Sequence, residues 1–155
     1  MNAETIKSII RTIPNWPSPG VRFRDITPLL ENPDALNYVV EWMCGLGTRV
    51  GADVVVGVDA RGFIFAGAVA SRLHLPFIPV RKKGKLPYRT IQESYRLEYG
   101  EATVEIHEDI VKGRGTALLI DDLIATGGTL LAAARLMERS GMQSIHVSAL
   151  VNLPE

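Results

Sequence analysis

An α/β fold with a central, mainly parallel sheet flanked by helices is predicted by three features of the sequence. Ala117-Leu118-Leu119-Ile120 is an apolar run without polar interruption, the pattern of a strand buried on both faces. The segment from Asp53 to Val58 holds valine at 54, 55, 56 and 58 and reads as a first central strand of the same kind. Each run leads through a short polar or glycine-bearing segment into apolar residues at helical spacing: Ala66, Val69, Ala70 and Leu73 after the first, and Leu130, Leu131, Ala134 and Met137 after the second.

The 155 residues, 46% of them apolar, suffice for one domain with one core. Lys plus Arg balances Asp plus Glu at 17 each, so net charge gives no reason to expect a nucleic-acid or anionic-membrane partner. The charges are unevenly placed, however. Arg81, Lys82, Lys83, Lys85 and Arg89 form a basic run, and the segment from Glu93 to Asp109 is acidic, which suits a small anionic ligand. The single cysteine, Cys44, excludes an intrachain disulfide and reads as core filling on a helix. With no signal peptide and no long apolar run, a cytoplasmic location is the default. His74, His107 and His146 lack zinc-site spacing and read as structural or surface residues.

In chain order, Ile6, Ile9, Ile10 and Ile13 predict a short amphipathic helix ended by Pro14, and Pro14, Pro17, Pro19 and Gly20 predict an irregular arm after it. Asn32-Pro33 is a helix start, with Leu36, Val39, Val40 and Met43 on the buried face, Trp42 as packing, and Gly45, Gly47 and Gly51 closing the helix. Residues 75–80 predict a short strand. A polar stretch follows from Arg81 to about Ser94, whose length and basic charge favour a lid over a solvated loop. Tyr95, Leu97 and Tyr99, then Val104 and Ile106 across Gly100-Glu101, alternate as a two-stranded hairpin. A turn at 112–115 leads to the second apolar run. The last helix stops near Gly141, and 144–151 predicts a final strand.

Two strand ends carry the candidate chemistry. After Ile120 come Asp121 and Asp122, and after Leu123-Ile124 comes Ala125-Thr126-Gly127-Gly128-Thr129 at a helix start. Unpaired helix N–H groups and two hydroxyls there can wrap a phosphate, and the acids, lying beside that cradle, can accept hydrogen bonds from ribose hydroxyls. After Val58 comes Asp59-Ala60-Arg61-Gly62, where an arginine at a helix start is poorly placed unless it holds an anion. Neither a Walker loop nor a dinucleotide G-x-G-x-x-G turn is present.

The string from Ala117 to Leu130 resembles the fingerprint by which phosphoribosyltransferases of the type I fold bind 5-phosphoribosyl-1-pyrophosphate (PRPP). PSPGVRFRDITP resembles the N-terminal hood of adenine phosphoribosyltransferases, and YRLEYG resembles their loop-to-hairpin signature. The resemblance covers almost the whole chain. It implies one phosphoribosyltransferase domain over 1–155, with an N-terminal helix and adenine-binding hood at 1–32 and a core at 33–155. That core stops sooner than the family usually does, which leaves the protection of the edge strand in question.

The resemblance further implies a reaction of adenine with PRPP to give AMP and pyrophosphate, a step of purine salvage. In it Ala125, Thr126, Gly127, Gly128 and Thr129 hold the 5′-phosphate, and Asp121 and Asp122 hold the ribose. Ala60, Arg61, Arg81 and Lys85 manage pyrophosphate, with a cis peptide joining Asp59 and Ala60. Phe23 stacks on adenine, with Arg22 and Arg24 offering backbone contacts to its edge. Glu98 handles the base proton, with Tyr99 close by. Mg²⁺ is implied as a cofactor carried by PRPP, without direct protein ligands, and a homodimer as the assembly. Two other readings stay open on the same motifs: transfer to xanthine or hypoxanthine/guanine, or a non-catalytic sensor of PRPP or purines.

Overall fold

The computed structural model describes residues 1–97, 100–110 and 115–153. The chain forms two compact units, Met1–Trp42 and Met43–Glu155, divided within one long helix.

In the first unit, helix α1 (Ala3–Ile9) is capped by Asn2, whose side-chain oxygen accepts the Thr5 N–H. Ile13 does not continue this helix, as its spacing had predicted. Residues Arg11–Pro14 form strand β1, which pairs antiparallel with β2 (Arg22–Asp25), Ile13 opposite Phe23. Four residues of pairing partner outweigh a marginal helical period, and Pro14, without an N–H, ends the strand. The arm expected to be irregular is thus a short ribbon whose irregular part is confined to its tip, where the Trp16–Pro17 peptide is cis. Asp25 accepts the Thr27 N–H and the Arg11 guanidinium, which together hold its carboxyl down at about 2. It thereby ties the ribbon to α2 (Thr27–Leu30).

Helix α3 (Pro33–Val50) starts where Asn32 accepts the N–H groups of Asp34 and Ala35, at 3.1 and 3.0 Å. Gly45 and Gly47 lie inside this helix and do not close it; Gly51, at φ +64°, follows its end. Gly47 is there for proximity, since a Cβ would meet Leu73 at 2.8 Å and Leu118 at 3.2 Å. Cys44 is buried, and Trp42, expected to pack, is 55% exposed.

The second unit carries a six-stranded sheet in the order β5-β6-β4-β3-β7-β8. Strands β4 (Phe77–Lys82), β3 (Val54–Val58), β7 (Thr116–Ile124) and β8 (Ser144–Asn152) are mutually parallel. Strands β6 (Glu101–His107) and β5 (Thr90–Arg96) extend the sheet antiparallel as a hairpin. Helix α5 (Gly128–Arg139) packs on one face and α4 (Gly62–Leu73) on the other.

Period-two alternation sorts the central strands between these helices. Val54, Val56 and Val58 join Ile78, Val80, Leu119, Leu136 and Met137 in one apolar cluster on the α5 side. Gly57 faces α4 so closely that a Cβ would stand 2.7 Å from Ala66. Cover on both faces is why β3 is buried along its whole length and reads as an uninterrupted apolar run.

Two expectations are corrected in this sheet. The strand thought to end at Ile120 continues to Ile124, because β8 pairs with it as far as Ile124 opposite Asn152. The polar stretch from Arg81 to Ser94 is half strand: Arg81 and Lys82 end β4, Thr90 begins β5, and residues 83–89 connect them. Both ends are held by β6, which pairs with β4 and β5 at once, so main-chain bonding ordered what side-chain polarity had suggested was a loop.

Candidate active site

The cleft opens at the carboxyl edge of the parallel strands and has a volume of about 420 Å³. Its walls come from Val58 at the end of β3 and 59–61 after it, 121–130 at the end of β7 and the start of α5, Val80 and Lys82 of β4, Tyr95 of β5 and Val104 of β6. This is where an open α/β sheet leaves strand ends and helix starts free to meet a ligand.

Asp121 and Asp122 sit inside β7 beyond its last pair with β3, Gly57 opposite Ile120, where β8 still pairs with Asp121 and Leu123. Both are buried, at 9% and 5% exposed. The Asp122 N–H donates to Asp121 Oδ1 at 2.8 Å, and Asp122 Oδ2 pairs with Arg61 Nε at 2.8 Å. Burial pushes the Asp121 carboxyl up to about 7. The Asp122 N–H opposes that shift, the neighbouring carboxylate adds to it, and the Arg61 charge opposes it.

Arg61 stands just before α4, where its guanidinium crosses to β7. The close approach is made possible by Gly62: a Cβ there would stand 2.9 Å from the Ile120 carbonyl oxygen and 3.1 Å from Asp121 Cα. The Asp59–Ala60 peptide is cis. Asp59 Oδ2 accepts Arg81 Nε at 3.2 Å, and Arg81 Nη1 donates to the Lys85 carbonyl at 3.2 Å.

The Ala125–Thr129 segment enters α5 through Gly127, which at φ +78° caps the helix in the left-handed conformation. Nothing lies within 4 Å of a Cβ at Gly127, and main chain therefore faces open space there. Thr129 Oγ1 donates to Tyr95 Oη at 2.9 Å, so one of the two hydroxyls expected to face a phosphate is engaged by the hairpin. Glu93 joins the same hairpin to α5 through Arg139 at 2.8 Å and Arg135 at 3.7 Å.

The cleft brings together Ala60, Arg61, Asp121, Asp122 and 125–129 of the sequence-derived candidates. Arg81 and Lys85 do not line it; Arg81 reaches it only through Asp59. Alternation along β4 explains the difference, because Val80 and Lys82 share the face that lines the cleft and Arg81 points to the other. Arg22, Phe23 and Arg24 lie together on β2 of the first unit, where Phe23 meets Trp16 edge to face at 4.5 Å. Glu98 and Tyr99 fall outside the described residues, as do 112–114 of the expected turn.

Tyr95 belongs to the cleft without any ligand role expected from the sequence, while Lys82 and Asp59 figure there only as members of the basic run and of the 59–62 turn, with no role of their own. Strand parity would have found Lys82, but Tyr95 is placed by a hairpin folding over a helix thirty-odd residues away, which no local signal encodes. Among the described residues no group of three or more His, Cys, Asp or Glu is placed to hold a metal ion, and no helix is long and apolar enough to cross a membrane.

Comparison with known proteins matches this geometry to a family. The model for the phosphoribosyl transferase domain matches residues 46–155. The adenine phosphoribosyltransferase of Methylibium petroleiphilum is 53% identical over 150 residues, covering 97% of this chain and 76% of that protein. The crystal structure of adenine phosphoribosyltransferase from Rhodothermus marinus superposes with a TM-score of 0.88 at 40% identity, covering 97% of this chain and 98% of the other. The Saccharomyces cerevisiae enzyme, complexed with an imino-altritol bisphosphate and adenine, gives a TM-score of 0.91 at 32% identity, covering 97% and 88%.

Proposed function

Because the chain belongs to the phosphoribosyl transferase family, we propose that it is an adenine phosphoribosyltransferase, joining adenine N9 to the ribose of PRPP to give AMP and pyrophosphate in purine salvage. The observation that carries this reading is the meeting, in one cleft, of three segments distant in sequence. They are the turn at 59–61, the acid pair at 121–122 and the glycine loop at 125–129.

The roles follow from charge and geometry. Main-chain N–H groups at the start of α5, at the positive end of its dipole, receive the 5′-phosphate. Asp121 and Asp122 receive the ribose hydroxyls and offset positive charge developing on the sugar as the bond to pyrophosphate lengthens. The cis turn at Ala60 and the Arg61 guanidinium receive pyrophosphate, with Lys82 on the facing wall as a further cation. Arg81, from the end of β4, and Lys85, from the connection after it, act beside it. Phe23 of the ribbon stacks on adenine, with Arg22 and Arg24 contributing main-chain contacts. Glu98 takes the proton that leaves adenine and Tyr99 lies beside it. General-base assistance of this kind contributes roughly 10²–10⁴ in rate, so positioning and electrostatics supply most of the acceleration.

Mg²⁺ fits this site as an ion carried in by PRPP. Two adjacent carboxylates are the hard oxygen donors such an ion takes in addition to substrate oxygens, and its chemistry is to neutralise pyrophosphate charge. Asp121 and Asp122 would hold it if it contacts protein. A cytoplasmic homodimer acting as one phosphoribosyltransferase domain per chain completes the proposal.

The test is pyrophosphate release from PRPP with adenine, hypoxanthine, guanine and xanthine in parallel. Release with adenine alone is expected. Release with another purine instead would reassign the base, and AMP binding without release from any base would make the chain a sensor.

A further inference from the structure

Glu105 is a buried carboxylate, 2% exposed, that none of the roles above uses. It sits in the middle of β6, opposite Arg81 of β4 on one side and Gln92 of β5 on the other. Its neighbours Val104 and Ile106 face the apolar core, so by strand alternation Glu105 faces away from it. A charged group in that position is tolerated only if it is fully hydrogen-bonded. Four donors meet this need. Oε1 accepts the N–H groups of Lys85 and Leu86, both at 3.1 Å, and Oε2 accepts Gln92 Nε2 at 3.1 Å and Thr90 Oγ1 at 3.3 Å.

The chain of bonds does not stop at the connection between β4 and β5. Lys85, its N–H held by Glu105, offers its carbonyl to Arg81 Nη1, and Arg81 Nε reaches Asp59 Oδ2, the residue on the amino side of the cis peptide at Ala60. We propose that Glu105 is a positioning residue for the pyrophosphate turn: it fixes Lys85, through which Arg81 is oriented onto Asp59 and the 59–61 main chain is held in shape. Glu105 touches no ligand. What it supplies is reach and an acceptor oxygen, and the negative charge is secondary. The inference rests on the reading that residues 59–61 receive pyrophosphate.

Three variants separate reach from charge. Glu105→Gln keeps the length and an acceptor for the two N–H groups, and Gln92 can rotate its amide to face the new donor. Glu105→Asp keeps the charge but withdraws it by one methylene. Glu105→Ala removes both. The KM for PRPP is expected to rise about three- to tenfold in the Asp variant and at least as much in the Ala variant, the range that loss of a net hydrogen bond produces. The Gln variant should stay within about twofold of the parent, and the KM for adenine should hardly move in any of them.

A Gln variant impaired as much as the Asp variant would overturn the proposal in favour of charge. A fall in melting temperature with both KM values rising together would reduce Glu105 to a structural residue. Arg61→Ala, measured alongside, distinguishes the two levels of argument. If it leaves the KM for PRPP unchanged, the assignment of the 59–61 turn fails. If it raises that KM while Glu105→Asp does not, only the role of Glu105 fails. Should the Ala variant not fold, the Asp and Gln pair decides the question alone.

Discussion

Replacing Asp121 with asparagine removes a carboxyl whose proton the folded protein holds far more tightly than the unfolded chain does. An Asp that ordinarily titrates at 3.8 is pushed to about 7, chiefly by burial inside β7. Between those values the unfolded state has released its proton and the folded state has not, so the group favours the folded protein less and less as pH rises. The slope is about 1.4 kcal/mol per pH unit. Integrated, the group costs roughly 2 kcal/mol of stability at pH 5 and roughly 4 kcal/mol at pH 8, levelling off above the folded value.

Asparagine is nearly isosteric, cannot ionise, and keeps an oxygen for the Asp122 N–H that Asp121 Oδ1 now accepts. Asp121→Asn should therefore be more stable than the parent, and its advantage should be larger at pH 8 than at pH 5 by roughly 2–3 kcal/mol. Urea unfolding of both proteins at the two pH values, with the slopes compared as well as the midpoints, measures this directly. An advantage that is equal at both pH values, or greater at pH 5, would refute the assignment of a buried, proton-holding carboxyl. The proposed ribose contact adds a second expectation: the same substitution that raises stability should lower kcat/KM with PRPP.

Two further substitutions probe how the site is built. Gly62→Ala should destabilise the protein by about 1–3 kcal/mol, because its Cβ would collide with the main chain of Ile120 and Asp121, which has no slack to yield; a melting temperature equal to the parent's would show that α4 does not press on β7 there. Asn32→Ala should cost about 1 kcal/mol, since the Asp34 and Ala35 N–H groups lose their acceptor at the start of α3. Chemical denaturation reads it, and a loss within error of zero would mean that water caps the helix as well.

Much of the candidate cleft's lining was legible in the sequence because its parts are local. Asp121-Asp122 followed by Ala125–Thr129 is one continuous string between a strand and a helix, and Asp59-Ala60-Arg61-Gly62 is another. Their apolar runs announce double-sided burial, and their glycines announce close approach. Less local features were misread. Ile13 fits a helical period with Ile6, Ile9 and Ile10, yet it pairs with Phe23 in a ribbon. Gly47 resembles a helix stop but serves packing on Leu73 and Leu118. Arg81 and Lys82 look equivalent in a basic run, whereas strand alternation sends only Lys82 to the wall of the cleft.

From Asn32 onward the amino-acid sequence by itself determined the order of strands and helices, the glycine-loop string and the acid pair, because each is written in residues within a few positions of one another. Only the tertiary structure decided that Tyr95 meets Thr129, that Arg61 meets Asp122, and that Glu105 gathers the Lys85 and Leu86 amides. Those contacts join residues 19 to 61 positions apart. Their formation depends on which strands lie side by side in the sheet, a choice made by the collective burial of both its faces and by no single segment.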